Sequence, residues 1–374
     1  MNRKWVRFAH LYLGLSVGAL FVLTGLTGSA LIFRPQIDAW LSPAIRAAAS
    51  SARPSSYEAV YRTLLAAYPE RRTQWIMEIP ADGGVILSSS ETAAEVASGD
   101  YAPVMAWIDP RTFKIIRADR WGRFLITWIY DLHYRLLLGK PGAVVMGSDG
   151  LVVLVLLATG LASWWPARWR DLKYALSVRG FSNLSTRLYH IHKLTGLTGL
   201  VVLMALATTG AMLSLPTQFK TVLNKVAPLD AVPSPQSVQA AGVGRLSLDR
   251  ALENAAGVFA GAPLRLIYTP DGPNDVYTFK FRVAGDPDHQ YPVSTVWVDQ
   301  YSGRVLAVRD MRRDGPASTL WDWLYPIHDG EVFGLPGRII WLSIGLLPAV
   351  LFVVGFWRWA LRRRKRRLAR RNRS

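Results

Sequence analysis

The chain has no cysteine among its 374 residues. Disulfides, thiolate metal ligands and cysteine-held iron–sulfur clusters are thereby excluded, and with them thiol redox chemistry. Histidine is sparse, at six residues, so any imidazole site draws on few candidates. No dinucleotide or flavin fingerprint occurs, and the sequence therefore names no electron donor. Charge is missing from long tracts. Residues 11–33, 194–216 and 339–357 contain no Asp, Glu, Lys or Arg, and residues 143–166 contain only Asp149. Each tract is long enough to cross a hydrocarbon core, which takes about 20 residues.

The charge that is present is unevenly placed. The net charge is +18. The N-terminus (Arg3, Lys4, Arg7), the 167–193 loop and the tail from Arg358 together hold 19 basic residues and one acid, Asp171. The remainder balances at 25 basic and 25 acidic residues. With four spans, the three basic segments fall on one side, and basic loops stay in the cytoplasm. Both termini are then cytoplasmic. The basic segments set topology and contact membrane lipids, and no nucleic-acid partner is expected. The chain also begins like a signal peptide, but its first apolar stretch of about 23 residues is longer than a usual signal core and reads as a retained helix.

What is present is also repeated. Trp128-Ile-Tyr-Asp-Leu-His133-x5-Gly139-x-Pro141-Gly142 returns 195 residues later as Trp323-Leu-Tyr-Pro-Ile-His328-x5-Gly334-x-Pro336-Gly337. His10-x3-Gly14 returns 182 residues later as His192-x3-Gly196, and Thr27-Gly28 returns as Thr209-Gly210 at the same offset. Between the spans lie two polar regions that read alike. A helix over 55–68 with Ser56 as N-cap matches one over 247–259. Strands at 74–79, 85–89, 104–109 and 114–117 match strands at 264–269, 276–283, 295–299 and 304–308. Trp107-Ile-Asp109 answers to Trp297-Val-Asp299, and residues 228–244 form a linker. The expected unit is span, helix-plus-sheet module, span, occurring twice, with functional groups where the repeats meet.

The His-x3-Gly openings, the Trp-Ile/Val-Asp signature and the His-x5-Gly loop, in this order and duplicated, resemble the PepSY-associated transmembrane family over nearly the whole chain. The resemblance implies an α-helical protein of the bacterial inner membrane. It would have four transmembrane helices in a duplicated two-span unit and two small α+β PepSY-like modules in the periplasm. It also implies kinship with iron-regulated proteins found beside siderophore uptake systems, some of which are di-haem reductases of ferric siderophores.

The histidines bear on this directly. His10 and His192 open spans at the cytoplasmic face, and His133 and His328 precede spans at the periplasmic face. A neutral imidazole is the usual axial ligand of haem iron, and two of them leave no open position. Histidines in membrane segments are rare and usually functional. The expected cofactors are two b-type haems, the inner held by His10 and His192 and the outer by His133 and His328. His190 is the alternative to His192; the two point to different sides of one helix. A lone histidine would be read as a headgroup contact, and zinc normally takes three or four ligands where each face supplies two. His289 lies in a polar loop and is expected to be exposed. Trp164, Trp165, Trp357 and Trp359 read as an inner belt. Trp128, Tyr130, Trp321, Trp323 and Tyr325 crowd the outer histidines, as belt residues or as a surface for substrate. Asp149 has Ile344 as its counterpart; it is either interfacial or placed for proton handling or beside a haem propionate.

These readings converge on an oxidoreductase that passes electrons across the membrane, from a quinol or a cytoplasmic reductase to a ferric siderophore. The alternatives are a haem-containing subunit that supplies another periplasmic enzyme, a non-enzymatic regulator of PepSY type, or a transporter, for which one charged residue in the spans is thin equipment. The boundaries expected are a first span in 1–33, module one in 34–125 and an outer histidine segment with the second span in 126–166. The loop 167–193 and third span 194–216 follow. The linker with module two fills 217–319, the second histidine segment with the fourth span fills 320–357, and a basic tail ends the chain at 358–374. Reporter fusions at Ser90 and Val238 are expected to read periplasmic and one at Val178 cytoplasmic; a reversal at any of the three would contradict the topology.

Overall fold

The computed structural model describes residues 3–48, 52–81, 83–99, 101–166, 168–177, 183–239 and 242–372. Parts of the expected cytoplasmic loop (178–182), linker (240–241) and tail (373–374) therefore lie outside the described residues. The chain divides into two units, each assembled from separate stretches. One combines Met1–Ile32, Leu132–Pro216 and Ile327–Ser374; the other combines Phe33–Asp131 and Thr217–Pro326.

The first unit is helical. Gly139–Trp164 and Leu184–Ser214 are single helices long and apolar enough to cross a membrane, and so is the tract Glu331–Arg371. The first span differs from its expectation. It is broken at Val17 into Arg3–Ser16 and Gly18–Leu31, bent by 59°. The bend lets the two halves serve different neighbours. Arg3–Ser16 packs on Gly139–Trp164, while Gly18–Leu31 packs on Gly334–Gly345 and Leu347–Arg371. The last tract also has a break, at Leu346, with Pro348 in the first turn of the helix that follows. That helix runs on through the basic tail to Arg371. At the centre, Val153, Leu157 and Leu203 are buried together, with Phe21, Ile344 and Leu351 packed around them.

The second unit is built on one antiparallel sheet of eight strands. They are β1 (Trp75–Glu78), β2 (Ile86–Ser90), β3 (Val104–Ile108), β4 (Ile115–Arg120), β5 (Leu264–Tyr268), β6 (Val276–Phe281), β7 (Thr295–Asp299) and β8 (Val305–Arg309). Each falls within three residues of its expected place. The order is β4-β3-β2-β1-β5-β6-β7-β8, so the two expected sheets are joined edge to edge, Met77 opposite Ile267. The reason is physical: β1 and β5 would each expose a row of unpaired N–H and C=O groups, and pairing them covers both edges. Alternate residues face a core of Trp75, Met77, Ile86, Ile108, Tyr277, Phe279 and Val298.

Helices Tyr57–Ala67 and Leu248–Ala256 contribute Val60, Tyr61, Leu64, Leu248, Ala251 and Ala255 to that core. Ser56 caps the first as expected, accepting from the amide of Ala59, and Ser247, expected inside the second helix, caps it by accepting from the amide of Arg250. Each helix start is also held by the other's first-turn acid. Asp249 accepts from the Tyr57 amide at 2.7 Å, and Glu58 accepts from the Leu248 amide at 2.8 Å, charge placed where a helix N-terminus favours it. Short helices not foreseen include Arg34–Leu41, Pro43–Ala48, Ala93–Ser98, Leu125–Arg135 and Pro216–Val226.

Ala93–Ser98 carries a full capping box between Thr92 and Glu95. Glu95 also takes both terminal nitrogens of the buried Arg71 at 2.8 Å each. The Arg71 hydrogen bonds hold its carboxyl at about 2, against an ordinary 4.5. A depressed carboxyl stabilises the fold above its unfolded pKa and loses that contribution as pH falls through the folded one. Glu95→Gln is therefore expected to cost about 2 kcal/mol at pH 7, and the gap from the parent chain should close below pH 4.5. Chemical denaturation of the full chain in detergent, repeated across pH, checks this; a gap that ignores pH would contradict it.

Candidate functional site

Four of the six histidines lie in the helical unit as two facing pairs. His10, on Arg3–Ser16, and His192, on Leu184–Ser214, have ring centres 6.1 Å apart with planes at 80°. His133, near the end of Leu125–Arg135, and His328, closing Leu324–His328, have ring centres 6.2 Å apart with planes at 49°. Leu184–Ser214 also carries Thr209, which holds His328. His192 and Thr209 are 17 positions apart, and at 1.5 Å per residue the rise between them is about 26 Å. The two pairs thus belong to opposite ends of one helix.

Each imidazole is held in the same way. His10 Nδ1 donates to the Leu156 carbonyl at 3.1 Å and His192 Nδ1 to that of Leu351 at 3.0 Å. His133 Nδ1 donates to the Thr24 carbonyl at 3.1 Å, and His328 bonds to the backbone of Leu206. One turn beyond each of these carbonyls stands a glycine. A Cβ on Gly160 would meet His10 Cε1 at 3.0 Å, and on Gly355 it would meet His192 Cε1 at 3.2 Å. On Gly28 it would meet His133 Cε1 at 2.8 Å, and on Gly210 it would meet His328 Cε1 at 3.1 Å. The glycine is what lets the ring come against the neighbouring helix. These contacts repeat at the two sequence offsets: Thr24 and Leu206, like Gly28 and Gly210, are 182 apart, and Leu156 and Leu351, like Gly160 and Gly355, are 195 apart.

The outer pair has a further acceptor. Thr27 Oγ1 gives its proton to the Leu23 carbonyl at 2.7 Å and faces His133 Nδ1 at 3.0 Å. Thr209 Oγ1 gives its proton to Ala205 at 2.7 Å and faces His328 Nδ1 at 2.9 Å. At the inner pair Thr159 is 3.4 Å from His10 Nδ1, and Val354 occupies the matching place beside His192.

A carbonyl oxygen only accepts, so Nδ1 carries the proton and Nε2 keeps a lone pair. Metal-bound histidines are commonly oriented this way. The spacing fits a metal between two opposed rings. Roughly 2 Å from metal to nitrogen and about 1 Å on to the ring centre put opposed rings about 6 Å apart, whereas a tetrahedral angle would bring them to about 5 Å. Among the described residues no group of three or more His, Cys, Asp or Glu could hold a metal ion.

The other candidates separate. His190 turns its ring to Tyr189, 5.4 Å away, and it is His192 that faces His10. His289 is in the sheet unit beside Arg282, at 3.0 Å. Asp149 is buried within Gly139–Trp164, and among the described residues its Oδ1 has no hydrogen-bond partner. The aromatic residues belong to the sheet unit. Tyr130 lies under Arg34 at 5.9 Å, and Arg34 donates to Tyr291 Oη at 3.0 Å, whose ring meets Tyr325 at 6.2 Å. Trp321 sits under the Lys220 ammonium at 4.7 Å, Trp128 is exposed, and Trp323 is half-buried.

Of the four seats, Gly28 and Gly210 fall in the repeated Thr-Gly, whereas Gly160 and Gly355 were not foreseen. Gly160 and Gly355 lie at the same 195-residue offset as His133 and His328, and that signal would have found them. In cofactor-free protein labelled with 15N-histidine, the four paired imidazoles are expected to be protonated at Nδ1 and unprotonated at Nε2. Resonances of the opposite tautomer would contradict the arrangement.

The helical unit makes this a multi-pass membrane protein. A protein of Pseudomonas aeruginosa, itself uncharacterised, is 27% identical over 259 residues, a stretch covering 63% of this chain and 63% of that protein. Residues 7–362 match the family described as the PepSY-associated TM region. With both histidine pairs and the whole sheet inside the matched stretch, the chain belongs to the PepSY-associated transmembrane family.

Proposed function

We propose that this protein is a di-haem b electron conduit of the bacterial inner membrane that reduces ferric siderophores in the periplasm. The observation that carries the reading is the pair of facing imidazole sets, 6.1 and 6.2 Å between ring centres, each ring fixed by an Nδ1 bond and seated on a glycine. His10 and His192 would hold one haem, and His133 and His328 the other. An iron held by two imidazoles, with no open position, supplies one-electron transfer in preference to oxygen activation.

The protein's own contribution is placement. The carbonyls of Leu156, Leu351, Thr24 and Leu206 fix the tautomer and raise the basicity of the liganding nitrogen. Gly14 and Gly196, one turn after His10 and His192, keep side chains away from that ring's neighbourhood. The helix that carries His192 and Thr209 offers one site near each side of a core about 30 Å thick. The repeated offsets in contacts, and the strand order that mirrors itself about β1 and β5, support a duplicated two-span unit with a PepSY-like module in each half. The charge split supports N-in, C-in topology with the modules in the periplasm. Siderophores hold Fe(III) through hard anionic oxygens, so gaining one electron weakens their grip and releases iron. The electron donor would be a quinol or a cytoplasmic reductase. Trp128, Tyr130, Trp321, Trp323 and Tyr325 would meet the chelate with ring faces, which exclude water without competing for the metal.

Purified protein is expected to carry two haems per chain with a low-spin spectrum. His133→Ala or His328→Ala should remove one and leave the other. His192→Ala should remove the inner one while His190→Ala keeps it. Dithionite-reduced protein, freed of excess reductant, should be reoxidised by a ferric siderophore, with Fe(II) appearing in a ferrozine trap. Trp128→Ala or Trp323→Ala should slow that step with both haems bound. Absence of haem after expression with sufficient haem would return the chain to a regulatory role. Haem-loaded protein indifferent to ferric siderophores, but reoxidised by a soluble partner, would make it the electron-supplying subunit of another enzyme.

A further inference from the structure

The two halves of the sheet can be laid on one another through Trp107 and Trp297, because each is followed by a register shift at the same point. Pairing carried outward from these residues sets up a correspondence on one face. Leu87 and Thr278 stand opposite the two tryptophans. Met105 answers to Thr295, and opposite those, Ser89 answers to Lys280 and Asp119 to Arg309. Glu78, opposite Leu87, answers to Tyr268, opposite Thr278.

The two faces have been put to different use. In the first half Met105 and Trp107 are buried with Ile45 and Phe124, Leu87 packs against them, and the Arg117 guanidinium covers both rings at 4.7 and 3.8 Å. In the second half Tyr268, Thr278, Lys280, Thr295, Trp297 and Arg309 border a cleft of about 250 Å³. Two apolar side chains, two acids and a serine of one half are thus two hydroxyls, a phenol and two cations in the other.

Of the two cations, Arg309 is engaged by Asp314 at 2.6 Å and Asp322 at 2.9 Å. Lys280 is not. Among the described residues its ammonium has no hydrogen-bond or ion-pair partner, only the Tyr268 ring at 5.8 Å. Burial, then the charge of Arg309, pulls its pKa below the usual 10.5. The acids that act on it from a distance are Asp322, Asp288 and Asp286, and burial pushes Asp322 itself up to about 6. The Thr295 hydroxyl donates to the Val293 carbonyl at 2.7 Å, so the neutral donors lining the cleft are Thr278, which stands next to Lys280 on the same face of the strand, Tyr268 and Gln74.

We propose that this cleft binds a small flat organic anion, an aryl carboxylate of one ring, with the carboxylate on Lys280 and Thr278 and the ring against Trp297 and Tyr268. The volume lies below the roughly 300 Å³ at which pockets for drug-sized ligands begin, which limits the ligand to one ring. Two aromatic walls favour a ring over a bare oxyanion. The site needs no haem, so its failure would leave the electron-transfer reading where it stands.

Isothermal titration of the full chain in detergent, with detergent blanks, tests it using salicylate, its neutral counterpart salicylamide, and inorganic phosphate. Salicylate is expected to bind. Salicylamide, and salicylate on Lys280→Met, should each be weaker by about tenfold, the size of one charge-assisted hydrogen bond. Thr278→Leu, which carries the first half's side chain to the matching place and so suits the fold, should fill the cleft and abolish binding. No heat with salicylate on the parent chain would overturn the proposal. So would unchanged affinity in both variants, or phosphate binding as tightly as salicylate.

Discussion

The helical unit turns on one hydrogen bond made by His10, His133 and His192, an imidazole Nδ1–H given to a backbone carbonyl on a neighbouring helix, with the Thr209 hydroxyl oxygen beside the Nδ1 of His328. It settles the tautomer, and with it which nitrogen can serve as a ligand. It can form only if the ring reaches the helix backbone, so the residue one turn past the carbonyl is glycine at all four places. The same bond satisfies a ring nitrogen that would otherwise be costly to bury, while the carbonyl, inside a helix, also takes the amide four residues on. Ligand orientation and helix packing are therefore one device, and a methyl group on any of these glycines would disturb both.

The first span is bent, and each of its halves meets that requirement with a different neighbour. Its first half must bring His10 to the Leu156 carbonyl on Gly139–Trp164, while its second half must bring Thr24 and Gly28 to His133. The third span, which carries His192 and the seat for His328, does so as one uninterrupted helix. In the sheet unit the comparable constraint is edge protection. Two four-stranded sets of closely similar pattern share their first strands as neighbours and leave β4 and β8 at the margins.

Much of this was legible in the residues. The offsets of 182 and 195 paired the histidines, the Trp-x-Asp signatures located matching strands, and the Ser56 cap marked a helix start. What was hidden has a common cause. Backbone carbonyls have no identity in a sequence, so the acceptors at Leu156 and Leu351 left no mark beyond the glycines that follow them. The joining of β1 to β5 depends on strand edges, which carry no distinctive residues. The kink at Val17 has no proline to announce it. The Thr92–Glu95 capping box was written in the sequence and simply lay outside the matched elements. The cleft beside Lys280 depends on an apolar face in one half giving way to a polar one in the other, a contrast that shows only when the strand register is known.

The claim at the centre of this account is that two sets of paired imidazoles each hold one iron between opposed rings. Electron paramagnetic resonance of the oxidised, haem-loaded chain addresses it most directly, because ring planes at 80° and 49° would give two distinguishable low-spin ferric signals if each pair held an iron. The account predicts two such signals in equal amounts, one of which disappears in His328→Ala. A high-spin signal from iron with a single protein ligand, or one low-spin species accounting for all the haem, would contradict it.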